Sequence, residues 1–101
     1  MTNNEKRKLR KAYQKFVESK QKEKELDNYM MNTELPEAIY DALDIASGVL
    51  YNKRREAQKA FIELFTDLSD EIFYGGKMSK DRVYAMTESR LGHLDELIAS
   101  L

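Results

Sequence analysis

The chain lacks the side chains on which most metal sites and many catalytic sites of small proteins depend. It contains no cysteine and a single histidine, His93, among its 101 residues. Disulfides, thiolate metal sites and the usual two- or three-histidine metal sites are therefore excluded. We expect no metal, no other cofactor and no enzymatic activity.

Long apolar segments are also missing. No apolar run approaches the roughly 20 residues that a helix needs to cross a bilayer. The first residues, MTNNEKRKLRK, are charged, and no apolar stretch of the kind found in secretory signals follows them. The sequence thus predicts a single cytoplasmic domain over residues 1–101.

Apolar residues recur at helical spacing in four segments, between charged residues that make up 35% of the chain. The pattern predicts a first helix over about 4–24, then a loosely organised stretch to about 33. A second helix begins near Pro36, since proline suits the first helical position. Its predicted core stripe is Ile39, Ala42, Leu43, Ala46, Val49 and Leu50.

The third segment covers about 52–74 and the last covers about 80–100. Between the second and third segments the only helix-weakening residue is Gly48. We favour a break there, because a helix of almost forty residues is rare in a domain of this size. The predicted fold is an all-α antiparallel bundle of four helices, or of three if the second and third are continuous.

Residues 77–80 read KMSK, like the start of the KMSKS loop of class I aminoacyl-tRNA synthetases. That loop works on a nucleotide-binding α/β domain with a HIGH motif, and this chain has neither the strands nor that motif. The stretch instead predicts a turn. Gly75 and Gly76 stop one helix, and the hydroxyl of Ser79 caps the next.

Charge is distributed unevenly along the chain. Residues 1–24 carry a net charge of +6, and residues 25–50 hold six acids and no base. Within the acidic part, four carboxylates are spaced 3, 4 and 3 residues apart, so they share one side of the second helix. They are Glu34, Glu37, Asp41 and Asp44. We interpret this acidic row either as a solvated face or as a surface for a basic protein partner.

Basic residues cluster in two places. The first helix carries Lys6, Arg7, Lys8, Arg10, Lys11 and Lys15, and the start of the third segment carries Lys53, Arg54 and Arg55. Lysines and arginines of this kind bind phosphates in nucleic-acid proteins. The alternative is that they are solvated, or paired with the acidic second helix.

Arg90 is predicted to lie within the apolar face of the last helix, between Met86 and Leu94. An arginine there must extend to solvent, pair with a buried acid or contact a partner. We therefore place Arg90 with the acidic row among the candidate partner-binding residues.

The long segment ending LSDEIFYGGKMSK, followed by the amphipathic DRVYAMTESRLGHLDELIASL, resembles the small cytosolic immunity proteins that protect producers of pediocin-like bacteriocins. The resemblance implies an antiparallel four-helix bundle with a lysine-rich first helix. It also implies a bacterial protein in which the C-terminal half sets which bacteriocin is recognised. A phage protein is the other origin that we consider.

We expect a non-catalytic protein of the immunity or inhibitor type, which acts by binding a protein partner and occluding it. The alternative is a nucleic-acid-associated regulatory protein that uses the two basic clusters. The heptad-like stripe over residues 39–72 also permits a homodimer, with the bundle completed between chains.

Overall fold

The computed structural model describes residues 1–73 and 76–101, and the described part is an all-α bundle. Its four helices are α1 (Asn3–Asn32), α2 (Glu37–Ile72), α3 (Lys80–Ser89) and α4 (Leu91–Ala99). The all-α prediction is confirmed, although the chain divides into helices differently from the expectation. Tyr74 and Gly75, predicted to end one helix and to stop it, lie outside the described residues.

Helix α1 is longer than predicted. It begins with a capping box, in which the Thr2 hydroxyl accepts the Glu5 N–H at 3.1 Å and the Glu5 carboxylate accepts the Thr2 N–H at 2.9 Å. The predicted end near residue 24 is wrong, because the helix continues to Asn32. Residues with high helix propensity fill this second half, and Gln21 donates to the Glu25 carboxylate one turn later, at 3.1 Å.

Helix α2 is continuous, and the break favoured from the sequence is absent. Its 36 residues rise about 54 Å at 1.5 Å per residue, which equals the longest dimension of the molecule, 54 Å. In the junction, Arg54 donates to Glu23 of α1 at 2.9 Å and to Gln58 at 2.7 Å. These bonds stabilise helical geometry where a break was expected.

The last helix is broken at Arg90, where one helix was predicted. The Ser79 hydroxyl caps α3 as expected by accepting the Arg82 N–H at 3.2 Å. At the other end, Arg90 leaves helical geometry with φ −133° and ψ 43°. The hydroxyls of Thr87 and Ser89 donate to carbonyls of the preceding turn, at 2.6 and 2.9 Å, a contact that bends helices. The break allows α3 to pack on α2 while α4 reaches α1.

The buried core occupies only one end of the molecule. Its apolar residues come from all four helices: Leu9, Tyr13, Phe16, Ala57, Phe61, Ile62, Phe65, Leu68, Val83, Met86, Leu94 and Ile98. No residue from 17 to 56 is buried. Residues 18–53, the second half of α1 and the first half of α2, therefore extend beyond the core as a two-helix hairpin, which we call the hairpin.

Candidate partner-binding surface

The acidic row lies on the hairpin, and three of its four members lie on the helix where its spacing placed all four. Glu34 precedes α2, and Glu37, Asp41 and Asp44 follow on its first two turns. All four side chains are exposed, and none takes part in an ion pair or side-chain hydrogen bond within the described ranges. Their charge is therefore available to a partner.

Large apolar side chains are exposed beside the acidic row. On the hairpin these are Tyr29, Met31, Ile39, Tyr40, Ile45, Val49 and Tyr51, with Met31 exposed at 83% and Ile45 at 73%. A concentration of exposed apolar groups within one element is typical of a binding surface. The hairpin thus combines apolar area with uncompensated negative charge.

The predicted core stripe of the second helix is corrected in part. Leu43, Ala46 and Leu50 are half-buried, but Ile39, Ala42 and Val49 are exposed. In this region α2 packs only against α1, so one helix covers a stripe that was expected to face a full bundle. Periodicity identifies an apolar face, but it does not tell how many neighbours cover that face.

Arg90 does not lie in an apolar face and does not join the acidic row. It is exposed at the junction of α3 and α4, close to Phe73 at the C-terminal end of α2. The acidic row is at the opposite end of that helix. Because the last helix breaks at Arg90, the side chain leaves the phase that a straight helix would have given it. Arg90 and the acidic row therefore do not form one surface.

Around Arg90 the structure forms a cleft of about 510 Å³. Its cationic or titratable lining consists of Lys77, Arg82, Arg90 and His93, over the apolar side chains of Phe73, Met78 and Met86. The sequence does not predict this group of residues, because the bend that brings them together has no clear signal in it.

The bases of α1 are spread around the helix. Arg7, Lys8, Arg10, Lys11 and Lys15 are exposed, and Lys6 is half-buried. The hairpin is antiparallel, so the acidic row lies beside the other end of α1. These bases are thus distant from the acidic row, and the predicted pairing between them does not form.

In the second basic cluster, the Arg54 side chain is bonded to other side chains of the protein. Its guanidinium bonds to Glu23, which raises the pKa of Arg54. Gln58, only 3% exposed, accepts from Arg54 and donates to Thr87 and to the Glu88 carboxylate, both at 2.8 Å. The bond from Gln58 lowers the pKa of Glu88. This network joins α1, α2 and α3 where the hairpin leaves the core.

Lys53 and Arg55, the other members of the second cluster, are exposed. The Arg55 guanidinium stands 5.6 Å from the ring of Tyr51, a distance at which a cation and an aromatic face attract. The network around Gln58 was missed from the sequence. Its signal was the placement of Gln58 and Thr87 at core positions of two apolar stripes.

Among residues 1–73 and 76–101, no group of three or more His, Cys, Asp or Glu side chains is arranged to hold a metal ion. Within the same ranges, no helix has both the length and the apolar character required to cross a membrane. Comparison of the chain with protein-family models, with curated proteins and with solved structures finds no match.

Proposed function

We propose that the chain is a non-catalytic protein that binds another protein through the hairpin. The observation that carries this proposal is the hairpin itself, which extends from the core with exposed apolar side chains and an uncompensated acidic row. Charge of one sign steers a complementary surface into contact, and apolar groups supply the area that is buried. The partner is therefore a protein with a basic, partly apolar surface.

The mode of action that fits this shape is occlusion, as in an immunity or inhibitor-type protein. The core at one end of the 54 Å molecule carries the hairpin, and the hairpin covers the partner's working surface. A nucleic-acid-associated regulator has less support, because Arg54 is already paired with Glu23 and the α1 bases do not share one face.

The experiment is capture of partners from the native cells with the tagged chain and two charge-reversal variants. The test variant is Glu37→Lys, Asp41→Lys and Asp44→Lys combined. Helix α2 offers a matched control at Glu63, Asp67 and Asp70, which have the same 4 and 3 spacing and the same exposure at the core end. Both triple variants change the net charge by the same amount.

We expect the control variant to capture the same protein as the unaltered chain, with similar affinity. The test variant should bind it at least about tenfold more weakly, since like charges brought together at an interface cost free energy. The captured protein should also lose activity when the unaltered chain is bound. Equal binding by the two variants, or no captured protein at all, would contradict the proposal.

A further inference from the structure

The side of α2 that faces away from α1 carries a second apolar stripe within the hairpin. Ala38, Ala42, Ile45 and Val49 are spaced 4, 3 and 4 residues apart, and all four are exposed. This is the spacing of the seam positions of a coiled coil. We call these four residues the outer seam. Within the described residues, no neighbouring helix covers it.

The outer seam is limited to the hairpin. The next residues at the same spacing are Asn52, Glu56 and Lys59, which are polar or charged. The apolar part therefore ends where the hairpin meets the core. A surface of this length and shape fits another helix with a seam of equal length.

We infer that the outer seam pairs with the outer seam of a second copy of this chain, with the two α2 helices antiparallel. In this register Ala38 lies opposite Val49 of the second copy, and Ala42 lies opposite Ile45. In each of these pairs a small side chain lies against a β-branched one, which lets the side chains of the two helices interdigitate. Because the pairing is two-fold symmetric, each contact occurs twice and the assembly closes as a dimer.

Charge decides between the antiparallel and the parallel arrangement. The first part of α2 and the residues just before it, 34–44, contain four acids and no base. Residues 53–59 contain Lys53, Arg54, Arg55 and Lys59 with one acid, Glu56. Parallel helices would place the acidic row against itself. In the antiparallel register, residues whose numbers sum to 87 lie opposite each other, so Glu34 lies opposite Lys53 at the start of the basic residues, and the other three acids lie opposite uncharged residues.

One ion pair follows from the antiparallel register. Glu34 of one copy comes within side-chain reach of Arg55 of the other, at both ends of the paired region. In the single chain neither residue has an ion-pair partner among those the structure describes, so the dimer breaks no existing pair. The dimer covers Ile45 and Val49 of the exposed apolar side chains. It leaves Met31, Glu37 and Asp44 exposed, so it goes beyond the proposed function without using those groups.

Disulfide cross-linking tests the register, and the absence of cysteine from the chain makes the result unambiguous. Two full-length variants are made, Ala38→Cys and Val49→Cys. In the antiparallel dimer, each new thiol faces the other variant's thiol. It is about 16 Å along the helix axis from its own counterpart, which is too far for a disulfide.

We therefore expect a disulfide-linked heterodimer when the two variants are mixed and oxidised, and no covalent dimer from either variant alone. A covalent dimer formed by Ala38→Cys alone would indicate parallel helices and would overturn the inference. So would a mixture that gives no disulfide at concentrations where the unaltered chain is dimeric.

Sedimentation equilibrium tests whether the outer seam drives association. Ile45→Asp buries two carboxylates in the dimer, so it should raise the dimer dissociation constant at least about tenfold. Tyr40→Asp is the control, since Tyr40 is also exposed on α2 but lies off the seam. Circular dichroism confirms that both variants remain helical. An unaltered chain that sediments as a monomer at all concentrations, or equal weakening by both variants, would overturn the inference.

Discussion

Tyr13 connects the first helix to the last through its hydroxyl group. The hydroxyl donates to the Asp95 carboxylate and lies 3.3 Å from the Leu91 carbonyl oxygen, and the ring packs 5.1 Å from that of Phe61. Burial, together with the bond to Asp95, raises the pKa of Tyr13 above its ordinary value of 10.0. Tyr13 thus packs in the core and also donates a hydrogen bond that is lost when its hydroxyl is deprotonated.

The first prediction concerns the pH dependence of this bond. A pKa that is raised on folding adds stability that is complete below the unfolded pKa, near 10.0, and that is lost as the pH rises above it. Tyr13→Phe should lower the free energy of unfolding by about 0.5–1.5 kcal/mol at neutral pH. It should also lose less stability than the unaltered chain as the pH rises from about 9 to 11.

Denaturant unfolding across that pH range measures both effects, and Tyr29→Phe is the control because Tyr29 is half-exposed. The control should follow the unaltered chain at every pH. If Tyr13→Phe loses stability in parallel with the unaltered chain, the phenol of Tyr13 does not carry the dependence.

Gly48 has the lowest helix propensity of the residues in α2. It is the twelfth residue of a 36-residue helix, and a Cβ atom added there meets no atom within 4 Å beyond its chain neighbours and the backbone of its own helix. Glycine in a helix interior costs about 0.5–1 kcal/mol relative to alanine, because its unfolded backbone is freer. Gly48→Ala should therefore raise the free energy of unfolding by that amount.

The measurement is denaturant unfolding at low protein concentration, where self-association does not contribute. Gly76→Ala is the comparison, because Gly76 has a φ of 108° that alanine adopts only with strain. We expect opposite signs for the same chemical change at the two positions. A loss of stability in Gly48→Ala would contradict the prediction.

At the level of helices, periodicity and capping residues predicted much of the fold. The helical segments, the Ser79 cap and the shared face of the acidic row all depend on contacts within three or four residues, which a single sequence displays. At the junction within α2, Arg54 bonds to a distant part of α1, which stabilises the continuous helix. The break at Arg90 depends on α4 having to reach α1. Neither long-range cause can be read from local spacing.

The candidate surface was also predicted only where it depends on local spacing. Exposure of the acidic row follows from its phase on α2. Arg90 was misplaced because its phase was counted along a straight helix. The core stripe predicted for the second helix includes Ala42 and Val49 of the outer seam, since both residues fit a stripe whichever side is covered. The number of helices around a stripe is a property of the whole molecule.

The molecule as a whole divides into a core end and a hairpin end that share α2. Every buried apolar residue lies at the core end, so burial stabilises that end directly. The hairpin depends on helix propensity, on half-buried contacts between two helices and on the network around Gln58. The free energy of local opening is lowest where few apolar contacts are lost.

Amide hydrogen exchange should therefore show two levels of protection along the one continuous helix. In dilute solution, amides of α2 before residue 53 should exchange faster than those from 57 to 69, which lie in the core. Raising the protein concentration should slow exchange in the hairpin alone, because the dimer covers the outer seam while the core is unchanged. Ile45→Asp should abolish this concentration dependence and leave core protection intact. Uniform protection along α2 in dilute solution would mean that the hairpin is as stable as the core, and that the helix opens as a single unit.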